Sequence, residues 1–201
     1  GWRINWQFGK YSDPKNNSYK VWIDEKMHIP HWDGQAAYFL PPITNYINGP
    51  TGLAYNPGSA LNDKWKDHFF VSEFRGSPAS SPIHAFKLEQ NGSSFKLEKT
   101  QEIIKGLLPT GIDFGPDGAM YFGDWDIGWN TNKKGRIWKI DTIKKNSKKR
   151  SIVQRTLKQD FKKLNLDSLN ILLSNEDLRV RQKSQFQLVK RESQGLKIFL
   201  K

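Results

Sequence analysis

A partial β-propeller running into a C-terminal α-helical hairpin is the fold class that this sequence predicts, and three observations carry the prediction. The pattern Pro-Thr-Gly-[Leu/Ile]-x-[Tyr/Phe]-x-Pro occurs at residues 50–57 and again at residues 109–116, 59 residues later. Each copy leads into two further apolar runs of strand length, and short strands recurring at a fixed period are how propeller blades show themselves in sequence. Beyond residue 143 the apolar period changes from two to about 3.6, the mark of amphipathic helices.

The first fifty residues are loop-rich and aromatic. Residues 1–8 alternate well enough for a strand, and residues 36–40 suit a short edge strand. Pro30, Pro41 and Pro42 exclude a central strand or a helix around them. The first repeat predicts four strands, at 52–56, 68–74, 83–88 and 94–103, with Asn91-Gly92 turning the chain between the last two. The second predicts three, at 111–114, 119–124 and 135–140, with Pro116-Asp117-Gly118 as the first turn. In place of a fourth strand comes Lys144-Lys145-Asn146-Ser147-Lys148-Lys149-Arg150, too charged to pack and read as an exposed linker. Leu164, Leu166, Leu169, Leu172 and Leu173 then fit one face of a helix. Leu178, Val180, Phe186, Leu188 and Val189 fit a second, after the polar break Ser174-Asn175-Glu176-Asp177. The domains expected are propeller blades over 1–142, a basic linker over 143–163 and a HEAT-like hairpin over 164–201. One such helical pair cannot bury its own face and stacks on neighbours.

Charge divides the chain at the same place. Residues 143–201 hold 16 Lys and Arg against 5 Asp and Glu, whereas residues 1–142 hold 16 against 15. The lysines are spread around both predicted helices and no reader motif accompanies them, so a solvated face is the reading favoured over nucleic-acid binding. Zero cysteines exclude disulfides, cysteine-bound zinc and covalent haem within these residues. There is no apolar run of transmembrane length and no visible secretory leader.

Antiparallel blades place the loops leading into their first strands, and those joining their second and third strands, on one face. Residues 48–51, 73–76, 108–110 and 124–126 meet there. That gathers Arg75, Thr110, Asp124, Trp125 and the backbone carbonyls of Gly49 and Pro50, a mixture suited to an anionic or polyhydroxylated ligand or a hard cation. Beside this stands a plainer reading: Arg75 and Asp124 pair between blades, Trp125 packs, and the glycines turn the chain. His28 and His31 have metal-compatible spacing but no third ligand, and His68 and His84 are strand residues. No Gly-x-Ser-x-Gly, phosphate loop, dinucleotide fingerprint or catalytic triad occurs.

Gly1-Trp2-Arg3, Leu40-Pro41-Pro42-Ile43, Asn48-Gly49-Pro50-Thr51-Gly52-Leu53, His68-Phe69-Phe70, Phe74-Arg75-Gly76, Phe114-Gly115-Pro116-Asp117-Gly118 and Gly135-Arg136-Ile137 follow one another in an order that resembles a known family. They look like the later blades of bacterial membrane-bound dehydrogenase proteins related to glucose/sorbosone dehydrogenases, in which HEAT-like helices and often a c-type haem domain follow the propeller. The resemblance implies a sugar or alcohol substrate oxidised by hydride transfer to pyrroloquinoline quinone (PQQ), with calcium nearby, a histidine base, and electrons passed to a downstream c-type cytochrome domain. It implies cofactor contacts at Arg75, Thr110, Asp124 and Trp125, metal contacts through the carbonyls of Gly49 and Pro50, and a periplasmic or exported protein. The chain departs from that pattern: it holds about two blades and no Cys-x-x-Cys-His. The expectation is therefore a fragment, inactive alone. Two other classes stay open, a non-catalytic propeller–HEAT module that binds a glycan or partner protein and a lactonase-like hydrolase.

Overall fold

In the computed structural model, which describes residues 32–33, 43–44, 46–129, 133–144 and 147–200, the seven expected strands of the repeats form two antiparallel sheets. The chain divides into two units, Gly1–Asn45 and Tyr46–Lys201, and every strand and helix described belongs to the second. The strands expected over 1–8 and 36–40, with His28 and His31, lie outside the described residues. The first sheet has the order β1 (Pro50–Tyr55), β2 (Phe69–Glu73), β3 (Ile83–Asn91) and β4 (Ser94–Ile104). The second has β5 (Pro109–Phe114), β6 (Met120–Asp124) and β7 (Arg136–Ile140). Each is a blade, the second one strand short, as the repeats predict.

The Pro-Thr-Gly pattern has a mechanical explanation. Proline opens each first strand, where the ladder needs no N–H from it. The register then slips, between Pro50 and Gly52 in the first blade and between Pro109 and Ile112 in the second. This bulge turns Thr51 toward the neighbouring blade, where its hydroxyl donates to the Pro109 carbonyl at 3.1 Å. Gly52 then lies directly against the second blade: a Cβ there would come within 2.6 Å of the Thr110 carbonyl oxygen. Gly111, its counterpart, would meet nothing within 4 Å among the described residues. The same substitution should therefore have opposite outcomes. Gly52→Ala should cost about 1–3 kcal/mol through overpacking at the seam, and Gly111→Ala less than about 0.5 kcal/mol; urea denaturation of both variants measures the difference.

Behind the seam the blades share one core. Ala54, Phe70, Ile83 and Ala85 of the first pack with Ile112, Phe114, Met120 and Phe122 of the second. Phe70 and Phe114 meet edge to face at 5.5 Å. Along β6 alternate residues are buried and those between stay partly exposed, whereas β2 is buried throughout from Phe70 to Glu73.

The charged segment is not a linker. Residues 143–163 contain α1 (Ser147–Lys158) and a 3₁₀ turn over Phe161–Lys163, and Arg150, Val153 and Phe161 are buried. A charge run packs when its charges find partners inside. The Arg150 guanidinium donates to both Asp141 carboxylate oxygens at 2.6 and 3.0 Å and to the Asp117 carbonyl at 2.7 Å. The hairpin is likewise part of a larger unit: α2 (Leu166–Leu173) and α3 (Leu178–Val189) are joined by α1 and α4 (Glu192–Phe199). Leu169, Val180 and Leu188 bury as the periodicity predicts, but Phe186 and Val189 are exposed.

These helices sit on the turns that follow the two Pro-Thr-Gly strands. Leu178 N–H donates to the Pro57 carbonyl at 2.7 Å, and the Ser59 hydroxyl donates to the fully buried Asp177 carboxylate. Arg179 donates to the carbonyls of Phe114 and Gly115 at 3.0 and 2.7 Å while pairing with Asp177. One end of the blade pair is thus covered by helix, and the loops over residues 48–51, 73–76, 108–110 and 124–126 lie at the other end.

Candidate functional site: the loop end of the blades

Both blades finish their second strand with a buried carboxylate, and the two are structural equivalents. Glu73 stands opposite Pro50, and Asp124 stands opposite Pro109. Each accepts the N–H of the loop leading into its own blade. Asn48 N–H reaches Glu73 Oε1 at 3.0 Å, and Leu108 N–H reaches Asp124 Oδ1 at 3.0 Å. Each also meets a ring nitrogen from the third strand, His84 Nε2 at 2.8 Å from Glu73 and Trp138 Nε1 at 2.9 Å from Asp124. An arginine completes both sets: Arg75 Nε lies 4.0 Å from Glu73, and Arg136 donates to Asp124 at 3.2 Å.

Asp124 is therefore an anchor and not an acid or base awaiting substrate. Its side chain is 1% exposed, and a fourth donor, Asp126 N–H, reaches it at 3.3 Å. Burial works to raise its pKa; the hydrogen bonds from Trp138, Leu108, Asp126 and Arg136 outweigh that and hold the carboxyl below its ordinary range. Arg136 is committed as well, being paired to both Asp124 and Asp126.

The sequence-predicted residues divide accordingly. Thr110 points into the blade, where its hydroxyl lies against the Gly123 backbone. Gly49 adopts φ +58° and its carbonyl accepts Phe74 N–H at 2.9 Å, and Pro50 opens the ladder opposite Glu73. No three His, Cys, Asp or Glu side chains converge at metal-binding distances among the described residues. The Trp125 backbone N–H donates to the Leu108 carbonyl at 2.9 Å, and its side chain remains partly exposed. Asp124 takes Arg136 as its partner, and Arg75 takes Glu73.

Arg75 is the predicted residue that stays available. Its backbone N–H is fixed by Ser81 Oγ at 2.9 Å and its side chain is 50% exposed. Beyond the Nε contact with Glu73, its two terminal nitrogens make no hydrogen bond among the described residues. Next to it in sequence, Phe74 wedges between two indoles, edge to face with Trp129 at 4.8 Å and with Trp125 at 6.3 Å. Gly76 has φ +77° and its backbone lies so close to the Trp129 ring that a Cβ would overlap it. Trp129 is held at its edge and is 73% exposed. The loop of one blade thereby presents a cation and fixes the aromatic ring of the next.

The sequence did not single out Trp129, and it offered Glu73 only within a face segment, Arg136 only within a motif and His84 only as a strand residue. The carboxylates are 51 residues apart, not 59, because the first blade carries a longer turn, so the repeat offset conceals their equivalence. A cavity of about 410 Å³ lies elsewhere, lined by Lys148, Lys149, Ile152, Val153, Asn175 and Glu176. Its acid, Glu176, is already paired with Lys149.

No protein-family model matches the chain, and no curated protein does. Among solved structures, a glucose dehydrogenase is similar over 46% of this chain and 25% of its own length, at 18% identity and a TM-score of 0.35. A second glucose dehydrogenase is similar over 56% of this chain and 30% of its own, at 18% identity and a TM-score of 0.39. The chain thus spans less than a third of either structure.

Proposed function

We propose that this chain supplies the sugar-facing loops of a propeller dehydrogenase that oxidises a sugar or alcohol. The observation that carries the reading is the pairing, at one end of two blades, of the open Arg75 guanidinium with the edge-locked, exposed Trp129. A sugar presents C–H groups on one face, which lie on an indole, and hydroxyls at its rim, which accept from a guanidinium. The ordered motif set points to the same class, and the open seat at Gly111 matches a third blade docking as the second docks on Gly52.

The quinone has a poorer fit to these residues. PQQ carries three carboxylates, whereas the described loop end offers one uncommitted guanidinium among the buried acids Glu73 and Asp124. In this reading PQQ and calcium are held by other blades, which also supply the proton-abstracting group; these loops bind and orient the substrate. The helices begin a HEAT-like stack, with Ile171, Phe186 and Val189 exposed for the next pair. A c-type haem domain takes the electrons, and the protein works in the periplasm or is exported. No described helix is long and apolar enough to cross a membrane.

Titrating the chain with D-glucose should give a saturable change in tryptophan fluorescence at millimolar sugar, lost in Trp129→Ala. No saturable change in the unaltered protein would end the proposal.

A further inference from the structure

Resting on the reading just given, we infer that the loop end selects an acidic sugar ring, a hexuronate, with its carboxylate on Arg75 and its apolar face on Trp129. The first argument is charge availability. Four charged side chains anchor this end of the blades, and three have their interactions filled. Glu73 is shared by Asn48 N–H and His84, Asp124 takes four donors, and Arg136 is divided between two aspartates. Arg75 alone of the four keeps its terminal fork open, with the half-exposure that lets an incoming carboxylate reach it.

Geometry of the fork is the second argument. The contact with Glu73 engages Nε, and the paired terminal nitrogens make no hydrogen bond among the described residues. Two parallel N–H groups match a carboxylate in bidentate fashion, whereas a neutral hydroxyl engages one. Ordering costs are low at both contacts, because Ser81 fixes the Arg75 backbone and Phe74 and Gly76 fix Trp129.

Number is the third. One open guanidinium takes one carboxylate in bidentate fashion, which favours a ring with a single carboxylate over a polyanion such as PQQ. The buried carboxylates beside the site would repel additional charge that had no partner.

Calorimetric titration of the full chain at low ionic strength, with D-glucuronate, D-glucose and acetate, tests this. The expected result is D-glucuronate binding at least tenfold tighter than D-glucose. Arg75→Gln should remove that preference by weakening D-glucuronate far more than D-glucose, while Trp129→Ala weakens both sugars. Equal affinities for the two sugars, or a preference that survives Arg75→Gln, would overturn the inference and leave the sugar-binding reading standing. Acetate binding as tightly as D-glucuronate would reduce the site to a simple anion contact and overturn it as well. If neither sugar binds, both readings fall together.

Discussion

Arg179→Ala should lower the stability of the chain by about 3–5 kcal/mol, the usual cost of removing one partner from a buried ion pair. The Asp177 carboxylate beneath it is 0% exposed and would be left with the Ser59 hydroxyl and a backbone N–H for its charge. The Phe114 and Gly115 carbonyls would lose the guanidinium at the same time, Gly115 keeping the Gly118 N–H. Asp177→Ala should cost less, because the freed Arg179, already 22% exposed, can turn toward solvent. Urea denaturation curves give both values, and a double-mutant cycle gives the coupling. A loss under 1 kcal/mol for Arg179→Ala would mean that the helices rest on the blades without being tied to them.

Asp124→Ala should be the second most damaging change, at about 3 kcal/mol. It strands two backbone N–H groups, the Trp138 ring N–H and one guanidinium contact, and buried donors left without acceptors each cost about 1–3 kcal/mol before local relaxation. The pH dependence carries a matching sign. Burial raises the Asp124 carboxyl and its donors lower it further, so its folded pKa lies below the unfolded value near 4. A depressed acid contributes stability fully present above the unfolded pKa and lost as pH falls through the folded one. Asp177 is depressed in the same sense, with burial opposing and Arg179 and Ser59 prevailing. The urea midpoint should hold steady above about pH 5 and fall progressively below about pH 4, less steeply in Asp124→Ala than in the unaltered chain. An acid limb of unchanged slope would remove Asp124 as its source.

The strands were legible because each depends on local alternation and on turns such as Asn91-Gly92, and both survive without knowledge of the rest of the fold. The exposure of Arg75 was legible because a loop arginine beside glycine in a blade repeat has few interior partners. The basic helix was not, since whether Arg150 is solvated depends on Asp141 and on a carbonyl of the second blade, neither visible in a local window. Phe186 and Val189 followed the right period for burial, but the face they occupy lacks a partner among the described residues. Trp129 depends on a contact between loops of different blades, with Phe74 and Gly76 supplied some fifty residues earlier. The pairing of Arg136 with Asp124 depends on register, and repeats of unequal length hide register.

Hydrogen–deuterium exchange of the chain with and without saturating D-glucose tests most directly which end of the blades is functional. Sugar should slow exchange in the loops over residues 74–81 and 124–129 and leave unchanged the turns over 57–61 and 115–118, together with the helices that cover them. Protection appearing at those turns or helices, with the loops unaffected, would contradict the assignment of the loop end as the ligand face.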